Sequence, residues 1–265
     1  MRSGRNDYSP AFFEAIEEGA LRSARSVVPL VLEILRPRSV VDLGCGTGAW
    51  LSVFKEYGVE DVLGIDGDYV DRESLLIPHE QFVAHDLAQP VQLERRFDLA
   101  MSLEVAEHLA PESADVLIDS LVALAPAVLF SAAIPEQDGA HHVNTQWPHY
   151  WRERFKARGF ELVDCIRPQI WENDQVEFWY RQNTLVFARP DVIDASATLR
   201  AEVGVRRPLD LVHPVHWSQV TYQSRLDRAE LARHESLRWV LGALRRRAAG
   251  AGRRVMRLLR RAPDA

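Results

Sequence analysis

Three glycines at alternate positions follow an acid in VVDLGCGTGAW, residues 40–50, where Asp42 leads into Gly44, Gly46 and Gly48. Without a Cβ such residues let the chain turn tightly and bring bare backbone against a ligand of the nucleotide type. Asp66, in DVLGIDGDYV, stands at the end of a second apolar run, where an acid can bond ribose hydroxyls. Two further clusters carry groups that move protons or hold cations: SLEVAEH at 102–108 and AAIPEQDGAHHVNTQWPHYW at 132–151.

The spacing narrows the ligand. A dinucleotide loop reads G-x-G-x-x-G and seats a pyrophosphate, whereas here the glycines alternate and Asp42 would repel that anion. The acid suits a ligand carrying an ammonium and a sulfonium centre, which is S-adenosylmethionine.

The other clusters suggest what happens beside such a ligand. If a helix runs on from Glu104, then Glu104, Glu107 and His108 have i, i+3, i+4 spacing and converge on one face. Two carboxylates and an imidazole suit Mg²⁺, Mn²⁺, Zn²⁺ or iron. In the second cluster His141 or His142 is a candidate general base titrating near neutral pH, and His108 is a third candidate for the catalytic role. Glu136, Gln137 and Asn144 offer hydrogen bonds to an acceptor substrate. Trp147, Tyr150 and Trp179 offer flat faces for a sugar ring or planar aglycone.

These residues need a scaffold, and hydrophobic periodicity outlines one. Residues 8–35 read as one or two helices ended by Pro37, and strand and helix patterns then alternate. Strands are expected at 39–43, 61–65, 81–84, 97–102 and 127–132, with helices at 48–57 and 112–124. A helix at 149–158 and a closing pair of strands at 160–166 and 183–188 complete the series. Such alternation implies an α/β fold with a doubly wound, seven-stranded, mostly parallel sheet. The expected organisation is an N-terminal helical cap at 1–36, a ligand-binding core at 37–190, a proline-punctuated linker or wrap at 191–217 and a helical basic tail at 218–265.

Taken together, VVDLGCGTGAW, DVLGIDGDYV, FVAHDLAQP and FDLAMSLEVAEHL resemble the four cofactor motifs of the class I S-adenosylmethionine-dependent methyltransferases, over roughly residues 36–190. The resemblance implies a Rossmann-like fold and puts Asp42, Gly44, Cys45, Gly46 and Gly48 around the methionine part, with Asp66 and Gly67 at the ribose. It further implies that Asp86 and Leu87 flank the adenine and that Leu103 lies in the segment over the cofactor. SLEVAEH is similar to the SxEVxEH pattern of ubiquinone-pathway O-methyltransferases, in which the glutamates and histidine are associated with a divalent metal. The run from IPEQDG to WYRQN resembles bacterial methyltransferases of glycan and secondary-metabolite pathways.

Composition bounds the rest. The chain has 265 residues, 47% hydrophobic, and can bury a full core. Its two cysteines, Cys45 and Cys165, exclude a disulfide framework, and no apolar stretch reads as a signal or a membrane span. A cytoplasmic protein is the expectation. The formal charge of −6 is uneven, because Arg245, Arg246, Arg247, Arg253, Arg254, Arg257, Arg260 and Arg261 are basic and leave −14 elsewhere. An acidic body disfavours a nucleic-acid substrate. The tail, where arginine alternates with Val255, Met256, Leu258 and Leu259, is a candidate contact for an anionic membrane or a protein partner. Oligomeric state leaves no signal.

The sequence thus leads to an enzyme that methylates a hydroxyl of a sugar, glycan precursor or small natural product. A cofactor-binding scaffold tethered through its tail is the alternative, and an NAD-linked oxidoreductase is disfavoured by the glycine spacing.

Overall fold

A computed structural model describes residues 10–228, with side chains from residue 17 onward. Helix α1 (Pro10–Leu35) leads, a single helix where one or two were expected, with Pro29 in its interior. Strand β1 (Ser39–Leu43), helix α2 (Ala49–Glu56), β2 (Asp61–Asp66), β3 (Phe82–Ala84) and β4 (Leu99–Leu103) follow. Then come α3 (Ala114–Leu124), β5 (Ala127–Ser131), α4 (Pro148–Lys156), β6 (Glu161–Val163), α5 (Arg167–Ile170), α6 (Phe178–Asn183) and β7 (Leu185–Ala188).

The seven strands form one sheet in the order β3-β2-β1-β4-β5-β7-β6. Strands β1 to β5 pair in parallel, while β7 runs antiparallel between β5 and β6. The order reverses between β1 and β4, with Asp42 in the carboxyl end of β1 and Glu104 just beyond β4. A ligand crevice forms at such a switch point because crossover helices leave in opposite directions on either side of it.

Alternating side chains along the strands feed two cores, one on each face. Leu99, Met101 and Leu129 pack with α1 and α2 residues such as Val28, Val31, Leu51 and Phe54. Val41, Ala100, Val128 and Phe130 pack on the other face with Leu117, Ile118, Trp151 and Phe155. There Phe155 and Phe187 stack with centroids 3.9 Å apart. Fully burying each such ring contributes roughly 1.5–3 kcal/mol, which holds α4 against the end of the sheet.

Two departures from the sequence reading stand out. The aromatic run at 178–183 is helical, so β7 starts at Leu185. The stretch expected to be a linker from 191 contains helices α7 (Pro190–Ala195) and α8 (Ala197–Glu202). Proline is favoured in the first turn of a helix, where its missing N–H would have no partner.

Compactness divides the chain after His216. The second unit starts at Trp217 and is helical over its described residues, 217–228. The arginine-rich tail that was read as a membrane or partner contact lies outside the described residues. No helix among those described is long and apolar enough to cross a membrane.

Candidate active site

The glycine loop is tied to β2, where Gly44 N–H donates to the Ile65 carbonyl at 2.7 Å, and closes on itself through Gly48 N–H to the Cys45 carbonyl at 2.9 Å. Gly44, Gly46 and Gly48 all have positive φ. Around Gly46, the space a side chain would occupy is open, as a cradle for a ligand requires. A Cβ at Gly44 would strike Val105, so the loop lies directly against the segment after β4. Thr47 ties the loop to α1, its hydroxyl donating to Glu17 Oε2 at 2.6 Å.

Two buried acids face this loop. Asp66 accepts from Gly46 N–H and Gly67 N–H, both at 2.7 Å, and from the Tyr69 hydroxyl at 2.5 Å. Asp42 is 3% exposed, and its Oδ1 meets no hydrogen-bond donor among the described residues. Burial, reinforced by the charge of Asp66, pushes its carboxyl up to about 7. A buried acceptor without a donor is costly unless a ligand supplies one. Asp42 therefore fits the ammonium of S-adenosylmethionine, and Asp66 fits its ribose once the Tyr69 hydroxyl gives way. Burial also pushes the Cys45 thiol up, which keeps it protonated.

At the end of β4 the chain does not continue into an α-helix. Glu104 has φ 55°, and a short 3₁₀ turn, Ala106–His108, follows. The expected i, i+3, i+4 helical face therefore does not form: Glu104 stays beside Glu107, but its carboxylate is taken up by amides and is not part of the group that Glu107 and His108 make. Glu104 Oε2 accepts from Gln137 Nε2 at 2.7 Å and its Oε1 from Asn183 Nδ2 at 3.1 Å. Glu107 is fully buried, and neither carboxylate oxygen has a hydrogen-bond partner among the described residues. Burial, then the nearby Glu104 charge, holds Glu107 well above the usual carboxylate range.

What joins Glu107 is His142. The ligand atoms of Glu107, His108 and His142 lie within 4.8 Å of one another, and the two imidazoles meet edge to face with centroids 4.9 Å apart. His142 Nδ1 lies 3.0 Å from the Gln137 carbonyl, an acceptor, so Nδ1 carries the proton. Nε2 faces Glu107 Oε1 at 4.0 Å. Burial and the neighbouring His142 hold His108 below the usual imidazole range. Backbone ties lock the assembly, because Val143 N–H and Asn144 N–H both donate to the Glu107 carbonyl, at 2.8 and 3.0 Å.

The comparisons bear on this geometry. No curated protein matches the chain in sequence. Among solved structures, the chain resembles the sugar N-methyltransferase KedS8 from a Streptoalloteichus species, with TM-score 0.54 and 14% identity over 71% of this chain and 98% of that one. Streptomyces venezuelae DesVI aligns with TM-score 0.51 and 14% identity over 71% of this chain and 100% of that one. An O-methyltransferase family protein from Burkholderia thailandensis aligns with TM-score 0.50 and 15% identity, over 69% of this chain but 60% of its own length. These likenesses establish the fold. The sequence itself matches the methyltransferase domain family over residues 16–165, more than half of the chain. The chain belongs to that family.

It is an S-adenosylmethionine-dependent methyltransferase of the class I fold. In this methyltransferase Asp86 is exposed, and its Oδ1 takes Ala88 N–H at 2.9 Å to form the turn after β3, while Leu87 is buried beside it. Leu103 closes β4 at 7% exposure. His141 is exposed with φ 57°, and His142 is the histidine turned inward. Glu136 is exposed too, and contributes its carbonyl to the site. Gln137 and Asn144 are buried. Asn144 Nδ2 has no partner among the described residues. Of the aromatic candidates, Trp147, Tyr150 and Trp179 are half-buried, with Arg154 stacked over the Tyr150 ring at 3.5 Å.

Further residues join the network: Gln182 and Asn183, amides that the sequence sets beside the aromatic pair Trp179 and Tyr180, and four that were not named as candidates. Tyr69, Glu17, Asn183, Gln182, His213 and His216 are all bonded into the two halves of the site. Their signal was faint: the two histidines of DLVHPVHW stand in a stretch whose prolines read as a linker. Tyr180, whose hydroxyl takes Trp50 Nε1–H at 3.5 Å, sits among the aromatics, and burial followed by the charges of Glu104 and Asp42 pushes its hydroxyl up.

Proposed function

We propose that this protein transfers the methyl group of S-adenosylmethionine to a hydroxyl of a sugar, glycan precursor or other small natural product. The observation that carries the reading is the inward-turned imidazole of His142, with Nδ1 held at the Gln137 carbonyl and Nε2 beside Glu107 and grouped with His108 just past the end of β4. A neutral amine needs no base to attack a methyl group, whereas a hydroxyl must lose its proton as the new bond forms. A base placed at this position therefore favours oxygen over nitrogen, although a structural neighbour is named a sugar N-methyltransferase. The cofactor supplies an activated methyl group on a sulfonium. The protein supplies alignment, with Asp42 and Asp66 holding the two ends of the donor and the Val105 segment bringing the acceptor side against the glycine loop.

Glu107, His108 and His142 also fit a divalent cation. An unpartnered buried carboxylate with two imidazoles is a donor set for zinc, iron or manganese more than for magnesium. Such an ion would polarise the acceptor hydroxyl and lower its pKa. His142 would then serve as a ligand, and its bond to the Gln137 carbonyl would orient it.

Transfer of a labelled methyl group to a panel of sugar nucleotides and glycosides tests the reading, run with and without EDTA. Turnover that survives the chelator and falls about 10²–10⁴-fold in His142→Ala supports the base. Loss in EDTA restored by Zn²⁺ or Mn²⁺ supports the cation. Absence of S-adenosylhomocysteine binding by calorimetry would sink both.

A further inference from the structure

The family match ends at residue 165, yet the polar network behind the acceptor side continues far past it. Glu104 is held by Gln137 and Asn183, and Asn183 Nδ2 also donates to Gln137 Oε1 at 3.0 Å. Gln182 Nε2 donates to Gln137 Oε1 at 3.2 Å and to Asn183 Oδ1 at 3.0 Å. The orientation of the Gln182 amide is in turn fixed from residues 213–216. His213 N–H donates to Gln182 Oε1 at 2.8 Å, which identifies that atom as the oxygen, and His216 Nδ1 faces the same oxygen at 3.1 Å. His216 Nε2 faces the Glu136 carbonyl at 3.2 Å, at the head of the loop that carries His142.

The segment that brings these histidines is anchored along its length. Arg207 Nη1 donates to the Asp164 carbonyl, the Leu209 carbonyl accepts from buried Arg167, Asp210 accepts from the first turn of α4 at His149, and His213 Nε2 meets the Trp171 carbonyl at 3.0 Å. His213 and His216 are 5% and 3% exposed. A surface wrap would not bury two imidazoles with hydrogen bonds to a glutamine that touches the site. Positive φ at Glu104 and Glu136 shows where the tension of this network falls, since such conformations persist only when their surroundings over-determine them.

We infer that residues 205–216 form part of the acceptor site, with His216 as a positioning residue that acts through Gln182 and Gln137 on Glu104 and through the Glu136 carbonyl on the His142 loop. The inference rests on the methyltransferase reading only in naming what the network serves. It places acceptor recognition partly outside the family domain, on a strap this chain adds to it.

The test needs no acceptor. Hydrogen exchange and S-adenosylhomocysteine calorimetry are measured on the full chain, on His216→Ala and on His216→Asn, whose amide can donate from the Nδ1 position. The expected result for His216→Ala is exchange about tenfold faster across residues 134–146, with β1, β4 and the glycine loop unchanged and cofactor-product affinity within about twofold. His216→Asn, which restores the Gln182 contact but not the one to the Glu136 carbonyl, should recover part of the protection. Faster exchange spread over the whole sheet, or protection across 134–146 equal to wild type, or no recovery by asparagine, would each overturn the assignment. Failure of the wild type to bind S-adenosylhomocysteine would count against the methyltransferase reading instead, and leaves the exchange comparison intact.

Discussion

Gly139 lies beneath the imidazole of His142, and a Cβ at that glycine would fall on Cε1 and Nε2 of the ring. The two residues are three apart in a loop, so the glycine makes room for the histidine that the site turns inward. Gly139→Ala should displace His142 while leaving the cofactor loop untouched. The expected outcome is a roughly 10²-fold or greater loss of methyl transfer at unchanged S-adenosylhomocysteine affinity. Equal losses in both measurements would mean that the loop supports the fold more broadly than the ring position suggests.

If Asp42 holds the ammonium of the cofactor as proposed, cofactor binding should depend on pH. Its carboxyl is pushed up to about 7 without a ligand, yet an ammonium binds the ionised form. Below pH 7 the proton must leave before the ligand enters, so affinity should fall about tenfold per pH unit there and level off above. The stability consequence has the opposite sense. The folded chain holds this proton more tightly than the unfolded chain, so the Asp42 contribution to stability is present below about pH 4 and is lost as pH rises towards 7. Asp42→Asn should flatten the affinity profile, weaken binding at pH 8 and raise the unliganded Tm there. Calorimetry and thermal melts between pH 5 and 8 check both halves.

The buried pair of Asp164 and Arg167 is the strut that holds the far end of the fold. Arg167 is 2% exposed and donates bidentately to Asp164, through Nε at 2.9 Å and Nη2 at 2.6 Å. Its remaining nitrogen, Nη1, bonds the carbonyls of Gln182 and Leu209. Arg167→Ala would leave a buried carboxylate and two carbonyls without donors, and should cost about 3–5 kcal/mol by urea denaturation. Removing the exposed Arg25 and Glu56 pair should leave the melt unchanged.

The cofactor half was legible because its signals are local. Alternate glycines, a strand and an acid at each strand end all fall within a few residues of one another, and β1 and β2 pair in register from Ser39 opposite Asp61. The acceptor half was not, because its partners lie far apart in sequence: Glu104 and Asn183 are 79 residues apart, and Glu136 and His216 are 80. Helical spacing at 104–108 also misled, since the backbone at Glu104 is left-handed and its carboxylate is bonded by Gln137 and Asn183, so the third member of the group with Glu107 and His108 is His142. No periodicity records a single residue in that conformation.

Glu107 carries a burial cost that a bound cation would offset. A carboxylate with no exposure and no hydrogen-bond partner among the described residues destabilises the unliganded fold, whether it is held protonated or forced to ionise. Glu107→Gln removes the charge and keeps the shape, so the metal-free variant should melt above the wild type. Adding Zn²⁺ or Mn²⁺ should raise the Tm of the wild type, since a ligand bound to the native state alone stabilises it by mass action, and about 100-fold excess over Kd is worth roughly 2.7 kcal/mol. The variant should gain little, having lost the ligand atoms that complete the group with His108 and His142. A wild-type melt indifferent to zinc, manganese and iron(II) would remove the cation and leave His142 as the base. A variant less stable than the wild type in EDTA would show that Glu107 already has a partner in the unliganded protein.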